Sequence, residues 1–348
     1  MQTNHWQYFM PAPKASGQLK VELSDFQVVE KLGYQPCGQG EHIYLWVRKA
    51  GLNTAYLAEQ IAKFARVSAR DVTYAGRKDK YAVTEQWFSV HKPGKAEFDW
   101  SQLNVEGAEV LSAMRHDKKL RTGVLKGNRF QIKVRELSAT DELEARLHAI
   151  AAHGVPNYYG AQRFGDSRYD QRGGNLVLAE KMLGGEEIRN RNKRSMAISA
   201  LRSWLFNEVV SRRLSDDKFT HAMQGDVMLL AGSGSFFCAE QIDATIEQRL
   251  DSRDILLSVP LWGQGELPSK AQALVYERQL ASDYPEVCNA LEQLGLKQER
   301  RALRLFPQNM QWQINHNQLD VAFDLPAGAF ATSVIREIVD IQQYYEVD

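Results

Sequence analysis

Leu19, Val21 and Leu23 alternate with other residues, and after Ser24-Asp25 the same period of two resumes at Phe26, Val28 and Glu30. That period predicts two strands joined by a turn. Ile43 to Val47 reads as a further strand, and Asn53 or Thr54 caps a helix whose Leu57, Ile61 and Phe64 share one face. β-Branched and aromatic residues mark strands over Val72 to Ala75 and Val83 to Val90, with a loop between them. Phe130, Ile132 and Val134 alternate again, and Asp141 to His153 is a helix with Leu143, Leu147 and Ile150 on one face and Gly154 as its stop. From there the spacing turns helical. Ile198, Leu201, Leu205 and Val209 form one buried stripe and Ile242, Ile246 and Leu250 another, with short strands at Asp226 to Leu230 and Phe236 to Ala239. Strand character returns at Leu303 to Phe306, Gln311 to Ile314 and Leu319 to Leu325. Strands, then mostly helix, then strands again are expected of an α+β chain in which one domain interrupts another.

Length agrees, since 348 residues exceed the usual single-domain size. Global charge is uninformative, with 43 Lys plus Arg against 43 Asp plus Glu. No apolar run approaches the roughly 18–20 residues of a membrane span. Met1 to Met10 lacks the basic start and apolar stretch of a signal peptide. Cys37, Cys238 and Cys288 have no metal-type or redox-type spacing and the His residues are scattered, so reduced thiols in a cytoplasmic protein without metal are expected. Gly38-Gln39-Gly40 is too short to be a nucleotide fingerprint.

Local charge is more telling. Between Arg115 and Arg135 eight cations (Arg115, Lys118, Lys119, Arg121, Lys126, Arg129, Lys133, Arg135) face a single acid, Asp117, which suits a phosphate backbone as partner. Arg189, Arg191, Lys193 and Arg194 gather before the helix at Ser195, where the helix dipole favours anions and disfavours cations. In the loop after Ala75, Asp79 stands among Arg77, Lys78 and Lys80. Neighbouring cations favour an ionised carboxylate, a group able to act as nucleophile or base. Lys20 is a candidate ion-pair partner for it.

The run Gly76-Arg77-Lys78-Asp79-Lys80-Tyr81-Ala82-Val83-Thr84-Glu85-Gln86 resembles the Gly-x-Lys-Asp-x-x-Ala-x-Thr-x-Gln signature of the TruD family of tRNA pseudouridine synthases. Five further blocks resemble family motifs in family order: Asp25 to Glu30, Leu120 to Phe130, Asn157 to Gly165, the basic stretch before Ser195, and Leu325 to Thr332, where Ala329 replaces the usual Ser. The stretch Asp166 to Gly174 looks longer than its family counterpart. The resemblance implies a pseudouridine-synthase-like catalytic domain with a mixed, largely antiparallel sheet over residues 1–154 and 304–348, and an inserted α+β RNA-binding domain over 155–303. It makes Asp79 the catalytic aspartate, Asn128 the contact to the target base, and Phe26, Phe130 and Phe330 the lining of the site. Arg121, Lys126, Arg163, Arg191, Lys193 and Arg194 become candidates for the RNA backbone.

The implied reaction is isomerisation of uridine 13 in the tRNA D arm to pseudouridine, by a monomer without cofactor or protein partner. Nothing enters or leaves in an isomerisation, so no redox group or nucleotide is demanded. The target base must be flipped out of its stack and held against an aromatic face by a group reading its edge. The rival from another class is a non-catalytic RNA-binding protein using the same cations and aromatics. Asp79 separates the two readings, because a carboxylate among phosphate-binding cations weakens binding.

Overall fold

The structure is a computed structural model that describes residues 1–94, 97–165 and 173–342. Its chain forms two compact units. The first comprises Pro13–Ala152, Pro307–Ala331 and the segment from Ile338. In it lie strands β1 (Ser16–Leu19), β2 (Phe26–Lys31), β3 (His42–Ala50), β4 (Val72–Tyr74), β5 (Val83–His91), β6 (Ala108–His116) and β7 (Gly127–Arg135). Strands Gln308–Asn315, Gln318–Pro326 and Asp340–Gln342 join them in one ten-stranded sheet. Its spine runs from Gln308–Asn315 through Gln318–Pro326, β7, β2, β5 and β3 to β6. The sheet is mixed and largely antiparallel, with parallel pairs where β2 meets β5 and where β1 meets Asp340–Gln342.

Helix α1 (Thr54–Ala65) covers one face of this sheet, burying Leu57 and Ile61 against Leu45, Val47, Phe88 and Val90. Neither expected cap works as one. Asn53 makes no side-chain bond to the helix, and the Thr54 hydroxyl accepts from the Lys78 amide in the Asp79 loop instead. The strand expected over Leu19 to Leu23 ends at Leu19, because Leu23–Asp25 winds into a 3-10 turn. Asp25 is wholly buried there, taking the Glu22 amide at 2.8 Å and a forked pair of bonds from Arg135.

The second unit comprises Met1–Ala12, His153–Phe306 and Thr332–Glu337. Its 25-residue helix Arg191–Ser215 buries Ala197, Leu201, Leu205 and Val209, one turn-spaced stripe, near a four-stranded antiparallel sheet centred on Val227–Leu230 and Ile255–Leu261. Residues 1–12 and 332–337, given from sequence to the β-rich domain, group with this unit. Trp6 stacks on Tyr158 at 5.7 Å and donates to Glu208 at 2.9 Å, while Arg336 donates to the Trp6 carbonyl. Such long-range contacts leave no periodic trace in sequence. No helix among the described residues is long and apolar enough to cross a membrane.

Candidate active site

Asp79 lies on the loop between β4 and β5, and three anchors fix that loop. Lys78, the preceding residue, pairs through its ammonium with Glu30, whose side chain is wholly buried at the end of β2 and also accepts the Trp87 amide at 2.8 Å. Burial pushes the Glu30 carboxyl up from its ordinary range, and Lys78 and the Trp87 amide pull it back. The Lys78 amide donates to Thr54 Oγ1 at 3.0 Å, and that hydroxyl in turn donates to Gln86 Oε1 at 3.0 Å. Lys49, at the end of β3, donates to the main-chain oxygen of Asp79 at 2.8 Å. The loop is thus held by its backbone and by the residue beside the carboxylate.

Lys20 donates to Asp79 Oδ2 at 2.7 Å, forming an ion pair. Its backbone takes a left-handed φ of +61°, a conformation that costs a non-glycine residue about 1 kcal/mol or more and that clusters at functional sites. The same ammonium lies 4.4 Å above the centre of the Phe26 ring. Phe26 meets Phe130 edge-on at 6.2 Å, and Phe130 continues to Phe323 at 5.8 Å. Register explains this row: Val28 lies opposite Phe130, and Phe323 lies opposite it on the other flank of β7. Asn128, two residues up β7 and opposite Glu30, has a buried Oδ1 without a hydrogen-bond partner among the described residues. An unmet acceptor in a protein interior is costly, and a ligand N–H would relieve it. Phe330 is half-buried in the turn after Gln318–Pro326, the strand whose Leu325 and Pro326 lie opposite Asn128 and Gly127.

The basic strip divides in two. Arg129 pairs with Asp324, Lys133 with Asp320, and Arg135 with Asp25 and Glu22, so the β7 cations are answered by acids on adjoining chain. Lys118, Lys119, Arg121 and Lys126 are exposed and form no ion pair among the described residues. In the second unit Arg191, Lys193 and Arg194 are exposed on the first turn of their helix, whose orphan amides of Asn192 and Lys193 are capped by Asn190. Arg163 is turned inward instead, donating to Ser199 Oγ at 3.0 Å and lying over the Tyr159 ring. The aromatics around it belong to the core: Tyr158 and Phe164 are almost fully buried. Residues 166–172, most of the stretch read as longer than its family counterpart, lie outside the described residues.

Lys49 escaped the sequence reading, and Thr54 entered it only as a helix cap, not as an anchor of the Asp79 loop. A signal for Lys49 was present, since it falls in phase with Ile43, Leu45 and Val47 on the core-facing side of β3. For a metal, the described residues offer Cys37, His116 and Asp117, Cys37 being brought by folding to the adjacent pair His116-Asp117. His116 Nδ1 there already accepts the Cys37 amide at 3.2 Å. The group sits at the ends of β3 and β6 away from Lys49, since His116 is the register partner of His42.

Three comparisons bear on this arrangement. The family model described as tRNA pseudouridine synthase D (TruD) matches residues 2–186 and 184–338. The tRNA pseudouridine synthase D of Pseudoalteromonas atlantica is 60% identical over 342 residues, covering 98% of both chains, and that of Aeromonas salmonicida 48% identical over 336 residues, covering 97% of this chain and 94% of its own. A crystal structure of the putative tRNA pseudouridine synthase D from Methanosarcina mazei superposes with a TM-score of 0.70 over 96% of this chain and 95% of that one, at 20% identity, so the two share a fold. The chain therefore belongs to the tRNA pseudouridine synthase D (TruD) family.

Proposed function

We propose that this protein isomerises uridine 13 of the tRNA D arm to pseudouridine, with Asp79 as the catalytic carboxylate. The observation that carries the reading is the Lys20–Asp79 ion pair beside the Phe26–Phe130 ring pair and the unmet Asn128 acceptor. A flipped uracil needs an aromatic wall and one edge-reading group, and its N3–H is a donor that Asn128 Oδ1 can accept. In the reaction the N1–C1′ bond breaks, the ring turns, and C5 joins C1′. C5 gives up its proton and N1 gains one, so the atoms balance with no further reactant. Asp79 can open the sequence by attack on C1′, by attack on C6, or by taking a proton from the sugar. In each case Lys20 and the loop anchors hold its carboxylate in place, the arrangement by which positioning lowers a barrier.

Phe330 completes the lining in this reading. The exposed cations Arg121 and Lys126 bind RNA phosphates, as do Arg191, Lys193 and Arg194 of the second unit, which we assign to RNA binding. The test is a purified protein and a tRNA transcript with no additive: pseudouridine should form at position 13, and Asp79→Asn should abolish it while tRNA still binds. Binding without conversion by the unaltered protein would instead favour a non-catalytic RNA-binding role.

A further inference from the structure

Lys49 is wholly buried at a strand position where an apolar side chain is the ordinary occupant. Its ammonium donates to two main-chain oxygens, those of Leu52 and Asp79, each at 2.8 Å. Burying a lysine is unfavourable, and a Met or Leu would fill the volume at lower cost. What the lysine adds is a charge-assisted grip on the peptide that carries the Asp79 side chain. The other anchors, through Glu30 and Thr54, act one residue earlier, on Lys78.

We propose that Lys49 is a positioning residue whose buried ammonium holds the Asp79 main chain, and with it the carboxylate, in its working place, so that turnover falls as that ammonium gives up its proton. The inference rests on the assignment of Asp79 as the catalytic group. The charged groups facing the ammonium are Asp79 and Lys78 from the loop. Lys20 and Glu30 stand one contact further out, paired with those two. Arg48, its neighbour on β3, is exposed and turned to Glu85 and Glu109. Burial dominates: it pulls Lys49 down to about 8, helped by Lys78 and opposed by Asp79. The proton is therefore lost in a range where an ordinary surface lysine, near 10.4, keeps it. The neutral amine that remains is a weaker donor to both carbonyls, and a positive charge disappears from beside the carboxylate.

The experiment measures single-turnover rate from pH 6 to 10 for the wild type, Lys49→Arg and Lys49→Met, with tRNA affinity and thermal melting followed at each pH. The wild-type rate should decline with a midpoint near 8. Arginine stays protonated throughout, so Lys49→Arg should carry its decline at least one pH unit higher. Lys49→Met should bind tRNA as before, turn over about 10–100-fold more slowly at pH 7, and show no decline near pH 8. If the buried pocket rejects arginine and that variant unfolds, the methionine variant alone decides. A methionine variant with the wild-type rate, or with the wild-type alkaline decline, overturns the proposal. So does a rate loss that merely tracks a loss of folded protein. Asp79→Asn run alongside separates the two assignments. Turnover there overturns the catalytic role of Asp79, whereas an inactive Asp79→Asn together with an unmoved decline in both Lys49 variants overturns the role of Lys49 alone.

Discussion

Lys20 and Lys49 reach Asp79 from different sides, one gripping the carboxylate and the other the main chain. Their loss should be felt differently. Lys20→Met removes the part-buried side-chain ion pair and the cation above Phe26, so the rate should drop, while an apolar side chain of similar length keeps the packing and limits the cost to stability. A melting temperature within a few degrees of wild type, with a clear loss in single-turnover rate, is the expected result. For Lys49 the sign of the pH effect on stability is opposite to that on activity. Its folded value, about 8, lies below its unfolded one, so between the two the unfolded chain holds the extra proton and stability from this group rises with pH. Denaturant unfolding of wild type and Lys49→Met at pH 7.5 and 9.5 should show the wild type gaining on the variant, by up to roughly 1.4 kcal/mol for each pH unit crossed between those two values. Much of the candidate site at this scale was legible: Asp79, Phe26, Asn128 and Phe130 stand in contiguous motifs. Thr54 was read as a helix cap because its real partner, the Lys78 amide, comes from a loop that only folding brings near.

Strand β7 is the element on which most of the candidate site depends. It carries Asn128 and Phe130, and its first residue, Gly127, leaves no room for a side chain: a Cβ there would lie 2.3 Å from the Leu325 carbonyl oxygen. Gly127→Ala should push apart the strand pair that places Asn128, lowering melting temperature and turnover together, as circular dichroism and the conversion assay would show. Along the basic strip, the division between paired and unpaired cations predicts two behaviours. Neutralising Lys118, Lys119, Arg121 and Lys126 should weaken tRNA binding and lower the log–log salt slope by about 1 per true phosphate contact. Arg135→Ala should instead cost about 2–3 kcal/mol of stability, because Asp25 would be left buried without its cation. Equal salt slopes for wild type and the loop variant would show that the loop is only solvated. Sequence could not divide the strip, since the acids that answer β7 come from Glu22, Asp25, Asp320 and Asp324. Helix Ala271–Ser282 escaped for a related reason: it exposes Val275 and turns Glu277 inward to a buried pair with Arg300, so its apolar stripe is broken. Strand β6 escaped because its residues are mostly half-buried or exposed, which blurs the alternation.

At the scale of the molecule, the proposed chemistry, carried by side chains of one unit and balanced within the substrate, implies indifference to metal. Pre-folded tRNA should be converted equally with and without chelator while a structure probe confirms that the RNA stays folded. Loss of activity on folded, bound RNA, restored by stoichiometric metal, would point back to Asp79 as a ligand. One pairing in that unit also has a consequence in time. β1, which ends immediately before Lys20, runs parallel to Asp340–Gln342, with Ser16 opposite Asp340. A ribosome working at about 5–20 residues per second makes the two strands some tens of seconds apart. In that interval the nascent chain already carries Asp79, Asn128 and Phe130, and β1 has its antiparallel partner β7, with Leu19 opposite Val134, but not its parallel one. A chain stopped after Ile338 should therefore emerge with the Asp79 loop made and with β1, and Lys20 beyond it, held by β7 alone.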